Sequence, residues 1–428
     1  MFTFNLKYGR RSVCLQLSDA KSVVALRQSE RPTLVDLREA FLRAVETASI
    51  CSPPLRTLLA PTDEVTLVIS DVTRLWMRQD LLCELLVRYL NETLGIPFAQ
   101  IAVLVALGTH RPQTPEELER ISSPYAYARV AVVNHDCDAA DLVYLGDTSY
   151  GTPVRVHPLA VGRKVITLGG PVHHLMSGYG GGRKSILPGI CARETILCNH
   201  LHALSPDAPR SNPLIGMGKL SGNPLHEDMM EAAAMVAPVY TLQAVMNGAG
   251  QPCALFGGDW QAAWLRACDA VQAINGAPIA EKADVVIASC GGYPKDINLY
   301  QAVKTLLNAA QAVREGGTLV FLAECPEGGG APEFFDWIIP LREGRLDPAL
   351  RDGFTIAGYI FYAACEVISR VDVRILSALP ADTVQAMGMR GYRDVSALIA
   401  DLGLHAKRVY VIENGGSVVP YTVKNERR

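Results

Sequence analysis

The sequence has no strong charge imbalance and no long apolar run, and these absences exclude several classes of protein. Lys and Arg number 40 and Asp and Glu number 43, which leaves a formal net charge of -3. Nucleic-acid-binding proteins normally carry a basic face, so this balance argues against nucleic acid as a partner. No stretch reaches the roughly 18 apolar residues of a membrane span, and the N-terminus MFTFNLKYGRRSV lacks the apolar segment of a secretory signal. We therefore expect neither a membrane span nor secretion.

The cysteines form no recognisable framework. Eleven are present, an odd number, and no two stand in a Cys-x-x-Cys pair. This usage is typical of reduced thiols in a cytoplasmic protein rather than of disulfides. Gly and Pro number 36 and 26, an ordinary share that excludes collagen-like and low-complexity chains. The chain of 428 residues is long enough for two or three domains at roughly 150 residues each, and an enzyme is the expected class.

Short apolar runs alternate with helical patterns and predict an α/β fold. Residues 65–70 and 101–107 are strand-like, and 78–93 between them carries leucines at helical spacing, which predicts a parallel βαβ unit. Further strands are predicted at 128–133, 164–168, 284–289, 318–323, 373–376 and 409–412, and helices near Glu231 and at 302–313 and 393–402. The alternation occurs twice, so we expect two α/β domains with parallel or mixed sheets. The boundary is placed at 275–281 (NGAPIAE), giving domains 1–275 and 276–428.

Polar residues follow the first two predicted strands. Asp71 and Arg74 come directly after 65–70, and His110 comes after 101–107. Ligands bind at the carboxyl ends of parallel strands, so these three side chains are expected to converge. A guanidinium can bind a carboxylate or phosphate through two hydrogen bonds, and a histidine can transfer protons near neutral pH. A surface Arg–Asp pair with a capping histidine would give the same spacing, and the sequence leaves both interpretations open.

A glycine-rich segment with two adjacent histidines occupies residues 171–185 (PVHHLMSGYGGGRKS). Glycines let the backbone approach an anion closely, and Arg183 and Lys184 add positive charge, so phosphate binding is expected. Ser185 is expected to open a helix. The segment departs from the phosphate loop of nucleoside triphosphatases, because that pattern requires glycine at the position of Arg183. A flexible glycine turn is the alternative.

Two further segments carry candidate residues. The run CARETILCNHLH at 191–202 mixes cysteine and histidine without the spacing of a structural zinc site, so His200 is a candidate only as a single ligand to a metal held partly by another group. After strand 284–289, the sequence CGGYPKDINLYQAVK predicts a strand-end loop and then a helix on which Tyr300, Gln301 and Lys304 lie within about one turn. Solvent-facing side chains on an amphipathic helix are the alternative for that second segment.

Taken together, these segments resemble the nickel-dependent lactate racemase family over nearly the whole chain. The resemblance rests on the order of five motifs: Asp-x-Thr-Arg at 71–74, Gly-Thr-His-Arg at 108–111, His174 with Lys184, Asn-His at 199–200, and Tyr-Gln-x-x-Lys at 300–304. It implies two α/β domains with the active site in the cleft between them. The N-terminal domain would carry the cofactor and the catalytic histidines, and the C-terminal domain would close the cleft.

The resemblance implies a cofactor, the nickel-pincer nucleotide (the nickel complex of pyridinium-3,5-bisthiocarboxylic acid mononucleotide). In the family, one ring carbon and two sulfurs of this cofactor and one protein histidine bind the nickel, and a lysine holds the cofactor through a thioamide. The matching residues are Lys184 for covalent attachment and His200 for nickel. The residues implied to cradle the nucleotide phosphate are Gly180, Gly181, Gly182 and Arg183.

The resemblance also implies the reaction, racemisation or epimerisation of a small 2-hydroxy acid. His110 and His174 match the catalytic histidines: one would take the hydroxyl proton while the Cα hydrogen leaves as hydride, and the other would serve the mirror-image substrate after a 2-oxo acid has formed. The residues implied to bind the substrate are Arg74, Tyr300, Gln301 and Lys304. Asp71 would orient Arg74 or contact the cofactor. Cofactor-synthesis proteins are the implied partners for loading, and the oligomeric state is left open.

The sequence departs from the family beside Arg74, where a proline is common and Leu75-Trp76-Met77-Arg78 stands here. Trp76 and Arg78 are expected to reshape the pocket for a longer or more polar substrate, and Phe361 or Tyr362 are candidates for the aromatic against the substrate side chain. Two other functions are considered beside the racemase: a kinase or ATPase built on the glycine-rich segment, and a non-catalytic protein that binds the same cofactor.

Overall fold

The computed structural model describes residues 1–331 and 333–423, and the chain divides into two compact units. Residues 30–203 and 212–274 form one of them, called here the histidine unit because it contains His110, His174 and His200. Residues 1–29, 204–211 and 275–428 form the other, called the terminal unit because it contains both ends of the chain. Along the described chain, no helix combines the length and the apolar character needed to cross a membrane.

The histidine unit is built on a six-stranded sheet. Its strands lie in the order Pro252–Gly258, Tyr240–Met246, Lys164–Gly169, Val65–Ser70, Ile101–Ala106 and Ala131–Asn134. All neighbours are parallel except the first two, which pair antiparallel. Two short antiparallel pairs accompany the sheet, Val143–Asp147 with Pro153–Val156 and His173–His174 with Gly178–Tyr179. The two strands on which the candidate residues depend are therefore neighbours, with Val65 opposite Ile101.

Helices cover the sheet of the histidine unit and bury its apolar strands. The α-helices are Leu37–Leu42, Gln79–Arg88, Pro115–Ser122, Pro124–Tyr127, Arg193–Leu201, Pro224–Val236 and Ala262–Asn275. The π-helical turns are Arg43–Thr47 and Tyr89–Thr93, and the 3₁₀ turns are Leu55–Thr57, Val72–Met77, Phe98–Gln100, Pro158–Ala160 and Gly182–Ser185. Leucines of the second helix, Leu82 and Leu86, pack with strand residues such as Leu67 in one buried core.

The terminal unit has its own six-stranded sheet, and all of its strands are parallel. Their order is Arg390–Tyr392, Asp372–Leu376, Val313–Leu322, Ala283–Ser289, Arg408–Ile412 and Ser22–Leu26. A hairpin of Phe2–Tyr8 and Arg11–Leu17 and a parallel pair of Gly276–Ile279 and Val419–Thr422 complete its strands. The α-helices are Leu299–Ala309, Ile338–Arg342, Leu346–Asp352, Ile356–Ile368, Ala381–Ala386 and Val395–Leu402, with a 3₁₀ turn at Phe335–Trp337.

The α/β class and every strand that the sequence predicts are confirmed, with ends shifted by a few residues. Three expectations need correction. The division differs from domains 1–275 and 276–428, because Ser22–Leu26 pairs with Arg408–Ile412 and so brings residues 1–29 into the terminal unit. Ser185 ends a 3₁₀ turn instead of opening a helix, and the next helix begins at Arg193. The middle of the chain, where the pattern predicts little, contains two strands of the first sheet.

Candidate active site

Asp71 and His110 form a hydrogen-bonded pair at the carboxyl ends of neighbouring strands. Asp71 caps the 3₁₀ turn Val72–Met77, and its Oδ1 accepts hydrogen bonds from the Thr73 backbone N–H at 3.0 Å and from Thr73 Oγ1 at 2.5 Å. Its Oδ2 bonds to Nδ1 of His110. Asp71 is buried, whereas the His110 side chain is 55% exposed. The pair therefore presents the other ring nitrogen, Nε2, as the atom that can exchange a proton.

The electrostatics of this pair favour an ionised carboxylate. Burial alone would raise the pKa of Asp71, but hydrogen bonds from His110 and Thr73 outweigh burial and lower that pKa below its ordinary value. A carboxylate at Nδ1 holds the imidazole in the tautomer with its proton on that nitrogen. Arg74 lies beside the pair, and its Nη1 donates to Thr73 Oγ1 at 3.0 Å. The structure thus brings together the three side chains that the strand ends predict.

The glycine-rich segment is held from its inner side by a buried arginine. Arg183 is 1% exposed, and its guanidinium donates to the carbonyl oxygens of Tyr179 at 2.8 Å and Ser177 at 2.6 Å and to His226 Nδ1 at 3.1 Å. It also lies over the Trp264 ring, 4.1 Å from the centroid. Burial lowers the pKa of Arg183 to about 9. Because two of these hydrogen bonds go to carbonyls of the loop itself, Arg183 has a part in shaping the segment, and its predicted contact with a phosphate stays a prediction.

The three consecutive glycines of the segment, Gly180, Gly181 and Gly182, differ in what requires them. Gly181 and Gly182 adopt φ values of +67° and +53°, which favour glycine. A Cβ on Gly182 would lie 2.4 Å from Trp264 Cγ, and one on Gly181 would lie 2.7 Å from Gln243 Oε1. A Cβ on Gly180 would meet only ordinary contacts, the nearest being Val172 Cγ2 at 3.5 Å. The packing of the turn therefore already accounts for two of the glycines, and phosphate cradling by all three is still a prediction.

Lys184 lies within the 3₁₀ turn Gly182–Ser185 and contacts His174. Lys184 Nζ lies 3.0 Å from His174 Nε2. On the other side of the ring, His174 Nδ1 accepts the backbone N–H groups of Met176 at 3.3 Å and Ser177 at 3.2 Å. The short antiparallel pair His173–His174 and Gly178–Tyr179 sets this ring orientation. Both ring nitrogens of His174 therefore lie beside N–H groups, and a neutral imidazole can accept at only one of its two nitrogens.

His200 is buried on the helix Arg193–Leu201 with one ring nitrogen committed to the backbone. Its Nδ1 bonds to the carbonyl oxygen of Ile196 at 2.8 Å, so the lone pair available to a metal is on Nε2. Burial, with a further contribution from the positive charge of Lys184, lowers the pKa of His200 to about 4. The imidazole is therefore neutral at physiological pH, which is the state that binds a metal. The influence of Lys184 on this pKa shows that the two side chains share one neighbourhood.

A buried acid anchors the helix that carries His200. Asn199 Nδ2 donates to Asp228 Oδ2 at 2.8 Å and to the Leu225 carbonyl at 3.0 Å. Asp228 is fully buried, and Thr148 and Thr152 donate to its two oxygens at 2.6 and 2.8 Å. Among the described residues, the one cluster of three potential metal-binding side chains is Asp136, Cys137 and Asp138, which does not include His200. His200 therefore offers a metal one protein donor.

The terminal unit contains the remaining predicted site residues. Asn298 caps the helix Leu299–Ala309 by accepting the backbone N–H of Gln301 at 3.0 Å. Lys304 Nζ donates to Gln301 Oε1 at 2.6 Å, so these two side chains act together. The Tyr300 ring meets Phe334 edge-on with centroids 6.1 Å apart.

The residues expected to shape the substrate pocket lie in two places, one in each unit. Phe361 and Tyr362 are buried within the terminal unit, where Phe361 packs on Phe334 and Tyr362 donates to Asp347 at 2.9 Å. Trp76 is 43% exposed, and Arg78 adopts φ +54° and pairs with Asp80 at 3.3 Å. A cavity of about 440 Å³ is lined by Val72, Leu75, Trp76, Arg78, Asp80 and Arg120. Residues three apart share a face of a 3₁₀ turn, so this cavity lies on a different face from Asp71 and Arg74.

Comparison with known proteins decides the family. The model of the lactate racemase N-terminal domain matches residues 8–211, and that of the C-terminal domain matches residues 279–349. The lactate racemase of Thermoanaerobacterium thermosaccharolyticum is 30% identical over 343 residues, which are 79% of this chain and 78% of that protein. The chain belongs to the lactate racemase family. It is accordingly an enzyme, an isomerase of the racemase class.

Other members and structures agree with this assignment to the lactate racemase family. The lactate racemase of Lactiplantibacillus plantarum is 29% identical over 357 residues, 82% of each chain. The structure of the lactate racemase apoprotein from T. thermosaccharolyticum matches with a TM-score of 0.84 at 26% identity and covers 98% of this chain and 100% of that one. A protein from Thermotoga maritima shares the fold, with a TM-score of 0.65, 18% identity, and 92% and 100% coverage.

Three residues that support the site in this member of the lactate racemase family were not found from the sequence. Gln243 accepts the Gly182 backbone N–H at 3.3 Å, Trp264 Nε1 donates to the Gly180 carbonyl at 2.9 Å, and Asp228 anchors Asn199. Gln243 carries one available signal, since it and Thr241 are polar residues in an otherwise apolar, buried strand, whereas the helix of Asp228 also carries His226, Glu227 and Glu231 and does not single Asp228 out. That signal says nothing about which loop each residue contacts.

Proposed function

We propose that this protein racemises or epimerises a small 2-hydroxy acid of the lactate class, using a nickel-pincer nucleotide attached to Lys184. The observation that carries the proposal is the grouping of Lys184 with both His174 and His200: Lys184 Nζ lies 3.0 Å from His174 Nε2, and its charge lowers the pKa of His200. An attachment amine, a proton-transfer group and a metal donor are the three protein functions that such a cofactor requires.

The residues present fit the cofactor. His200 is a neutral, buried imidazole whose Nδ1 is committed to Ile196, so it can offer Nε2 as one donor to a nickel ion that receives its other donors from the cofactor. Lys184 supplies the primary amine that a thioamide link needs. When bound, the cofactor would supply nickel and a pyridinium ring carbon able to accept and return a hydride. Roles for Gly180, Gly181, Gly182 and Arg183 at its phosphate remain part of the proposal.

The two catalytic histidines are proposed to work in opposite protonation states. His110 donates a hydrogen bond from Nδ1 to Asp71, so its Nε2 can accept the hydroxyl proton of a substrate as the Cα hydrogen departs. His174 is proposed to start in the opposite state, as an imidazolium that returns its Nε2 proton to the oxygen of the 2-oxo acid and is left neutral. One turnover exchanges the two states, and the mirror-image substrate then uses the same pair in the reverse order. A racemase needs such a pair because it must serve both enantiomers.

Substrate binding is proposed for Arg74 and for Tyr300, Gln301 and Lys304. The Arg74 guanidinium can hold a carboxylate through two hydrogen bonds, and Lys304 with its partner Gln301 supplies a further cation and an amide. Asp71 then orients His110 through a direct bond and Arg74 through Thr73. Cofactor-synthesis proteins would load Lys184, and the eleven cysteines, all free thiols, favour the reducing cytoplasm as the compartment.

The test is intact mass spectrometry of protein made with and without cofactor-synthesis proteins. We expect active protein to carry nickel and a covalent adduct that maps to Lys184, and Lys184→Ala to lose both adduct and turnover. Lys164→Ala, at the start of a strand of the same unit, is the matched control and should keep both. Protein that racemises 2-hydroxy acids with no nickel and no adduct would refute the cofactor.

The reaction itself is tested by isotope tracing across a panel of 2-hydroxy acids. Substrate labelled with deuterium at Cα should invert with the label retained, because a hydride does not exchange with water. Loss of the label to solvent during inversion would show proton abstraction instead and would overturn the proposed route. The substrate that inverts fastest identifies the group at Cα.

A further inference from the structure

The sheet of the terminal unit reverses its winding direction between two neighbouring strands. From Ala283–Ser289 the chain adds the strands Val313–Leu322, Asp372–Leu376 and Arg390–Tyr392 on one side and then returns to place Arg408–Ile412 on the other. In open parallel sheets this reversal opens a crevice outside the carboxyl ends of the two strands, and ligands bind there. The loops that follow Ser289 and Ile412 form the walls of that crevice.

Both of these loops are glycine-rich and pack closely on each other. Gly291 follows the first strand with φ +99°, and a Cβ there would lie 2.7 Å from Asn414 Oδ1 of the second loop. In the second loop, a Cβ on Gly416 would lie 3.2 Å from the Cys290 carbonyl and 3.5 Å from Lys295 Cδ. The backbones of the two loops thus approach one another around the side chain of Lys295.

The ammonium group of Lys295 is held between the loops by neutral acceptors. Its Nζ donates to Asn414 Oδ1 at 2.7 Å and to Ser417 Oγ at 3.2 Å. These bonds use two of the three N–H donors of an ammonium group. Desolvation, with a contribution from the charge of Lys7, lowers the pKa of Lys295, although the residue as a whole is exposed. Lys295 is therefore a cation that two side chains of the second loop hold at a position open to solvent.

The acids nearest in sequence do not pair with Lys295, although Asp296 Oδ1 is buried without a hydrogen-bond partner of its own among the described residues. Glu413 pairs with Arg27 at 2.5 Å, and Asp296 Oδ2 accepts the Gly9 backbone N–H at 2.6 Å. Within residues 1–331 and 333–423, no carboxylate forms an ion pair with Lys295, and Lys7 adds positive charge rather than cancelling it. A cation held by neutral acceptors, with no carboxylate paired to it, favours an anion beside it.

We propose that this crevice, called the Lys295 crevice, is a binding site for the oxyanion of a small metabolite, a phosphate or carboxylate group. Lys295 would bind the anion through its third N–H, with Ser417 as a hydroxyl donor to the same group. The site is separate in residues from Gln301 and Lys304 and does not depend on the cofactor, so it stands or falls independently of the proposed racemase chemistry.

The experiment is isothermal titration calorimetry of the full-length protein without cofactor. Inorganic phosphate and L-lactate, each as its sodium salt at constant ionic strength, are the two probes and distinguish a phosphate from a carboxylate ligand. We expect saturable binding of at least one probe. Lys295→Met should weaken it at least tenfold, and Asn414→Asp should do the same by placing a carboxylate on the ammonium while keeping a side chain of the same shape.

Two control variants locate the binding. Lys282→Met removes the same charge at the exposed position just before strand Ala283–Ser289 and should leave affinity within twofold. Lys304→Met should leave the affinity for inorganic phosphate within twofold if phosphate occupies the Lys295 crevice, whereas a tenfold loss would assign phosphate to the helix Leu299–Ala309 and overturn the proposal. L-Lactate can also bind at Lys304, so for that probe Lys295→Met alone decides. The proposal would also be overturned if neither probe bound saturably, or if wild-type protein and Lys295→Met bound with equal affinity.

Discussion

Hydrogen bonds at single residues give the two candidate catalytic histidines different surroundings. A carboxylate faces Nδ1 of His110, and two backbone N–H groups face Nδ1 of His174. The His110 ring therefore offers a lone pair at Nε2, whereas both nitrogens of the His174 ring lie beside N–H groups. The partners of His174 are two and three residues away in sequence, whereas the partner of His110 is 39 residues away. Local contacts therefore orient one ring, and a neighbouring strand end orients the other.

The first prediction concerns Asp71. In Asp71→Asn the amide cannot hold the proton of His110 Nδ1 as a carboxylate does, so Nε2 loses its role as base. We expect kcat of the loaded enzyme to fall by about 10² to 10⁴, the range typical of general acid–base catalysis, with a smaller change in KM. Steady-state kinetics in both directions measure this.

The matched control is Asp80→Asn, which removes an acid paired with Arg78 on the neighbouring surface. It should leave kcat within about threefold, as expected for a surface pair. Equal losses in the two variants would contradict a specific role for Asp71.

The second prediction is that acid destabilises the histidine unit through His200. Its pKa is about 4 when folded against a reference of 6.5, so between these values the unfolded chain binds a proton that the folded chain does not. Stability is therefore unaffected above about pH 6.5 and falls as pH drops toward 4, by about 3 kcal/mol in total. Urea unfolding followed by tryptophan fluorescence measures this.

His200→Gln should flatten that pH dependence, and His405→Gln, at an exposed position of the terminal unit, should not. A residual slope is expected because burial and Arg183 also lower the pKa of His226, to about 3. An unchanged slope in His200→Gln would contradict the assignment.

At the scale of elements, the glycine-rich segment is a turn whose shape comes from side chains behind it. Arg183 reaches back to two carbonyls of its own loop, and Trp264 and Gln243 contribute one hydrogen bond each. Lys184 directly follows Arg183 in this segment, so its position depends on the packing of Arg183, Trp264 and Gln243. These contacts hold the segment in one conformation and so preorganise Lys184. Their cost is the burial of the Arg183 guanidinium.

The third prediction separates packing from backbone strain in this turn. Gly182 and Gly250 both adopt positive φ, +53° and +73°, but only Gly182 would bring a Cβ against Trp264, whereas Gly250 has nothing within 4 Å. Gly250→Ala should cost about 1 kcal/mol from backbone strain alone. Gly182→Ala should cost about 2 to 5 kcal/mol, because overpacking adds to the strain.

Chemical denaturation of the two variants measures the difference, and accessibility of Lys184 to an amine-reactive reagent reports the loop directly. Gly182→Ala should change the labelling rate of Lys184, and Gly250→Ala should not. Similar free energies of unfolding for the two variants would show that the Trp264 contact is unimportant.

At the scale of the whole molecule, the terminal unit is assembled from both ends of the chain. The hairpin residues Leu6, Leu15 and Leu17 belong to the same buried core as Val285 and other strand residues of the sheet. Strand Ser22–Leu26 forms an edge of that sheet. A fragment that begins at residue 275 therefore lacks part of its own core.

The fourth prediction is that removing residues 1–29 unfolds the terminal unit and spares the histidine unit. Burial of each large apolar side chain contributes about 1.5 to 3 kcal/mol, so losing three leucines removes an amount comparable to the stability of a typical domain. Hydrogen exchange should show lost protection in strands Val313–Leu322 and Arg408–Ile412. Retained protection in Lys164–Gly169 is the internal control, and protection kept in all three would contradict the prediction.

Much of the fold was predictable because its signals are local. Apolar runs such as 65–70 and 101–107 are buried parallel strands, and the residues directly after them, Asp71 and His110, meet because neighbouring parallel strands end at the same edge. The strand Tyr240–Met246 was missed, since Thr241 and Gln243 interrupt its apolar pattern. Those polar residues are buried because they bond to Thr167 and to the glycine-rich turn, partners that lie far away in sequence.

The sequence by itself determined the two α/β alternations, the order of the motifs and hence the family, because periodicity and motif order are properties of the linear chain. Only the tertiary structure decided that residues 1–29 complete the sheet of the terminal unit, that Arg183 turns inward to its own loop, and that Lys295 lies between two loops more than a hundred residues apart. Each of these depends on which distant backbone groups and side chains share one neighbourhood. Strand pairing and burial determine those neighbours, and the spacing of residues along the chain does not predict them.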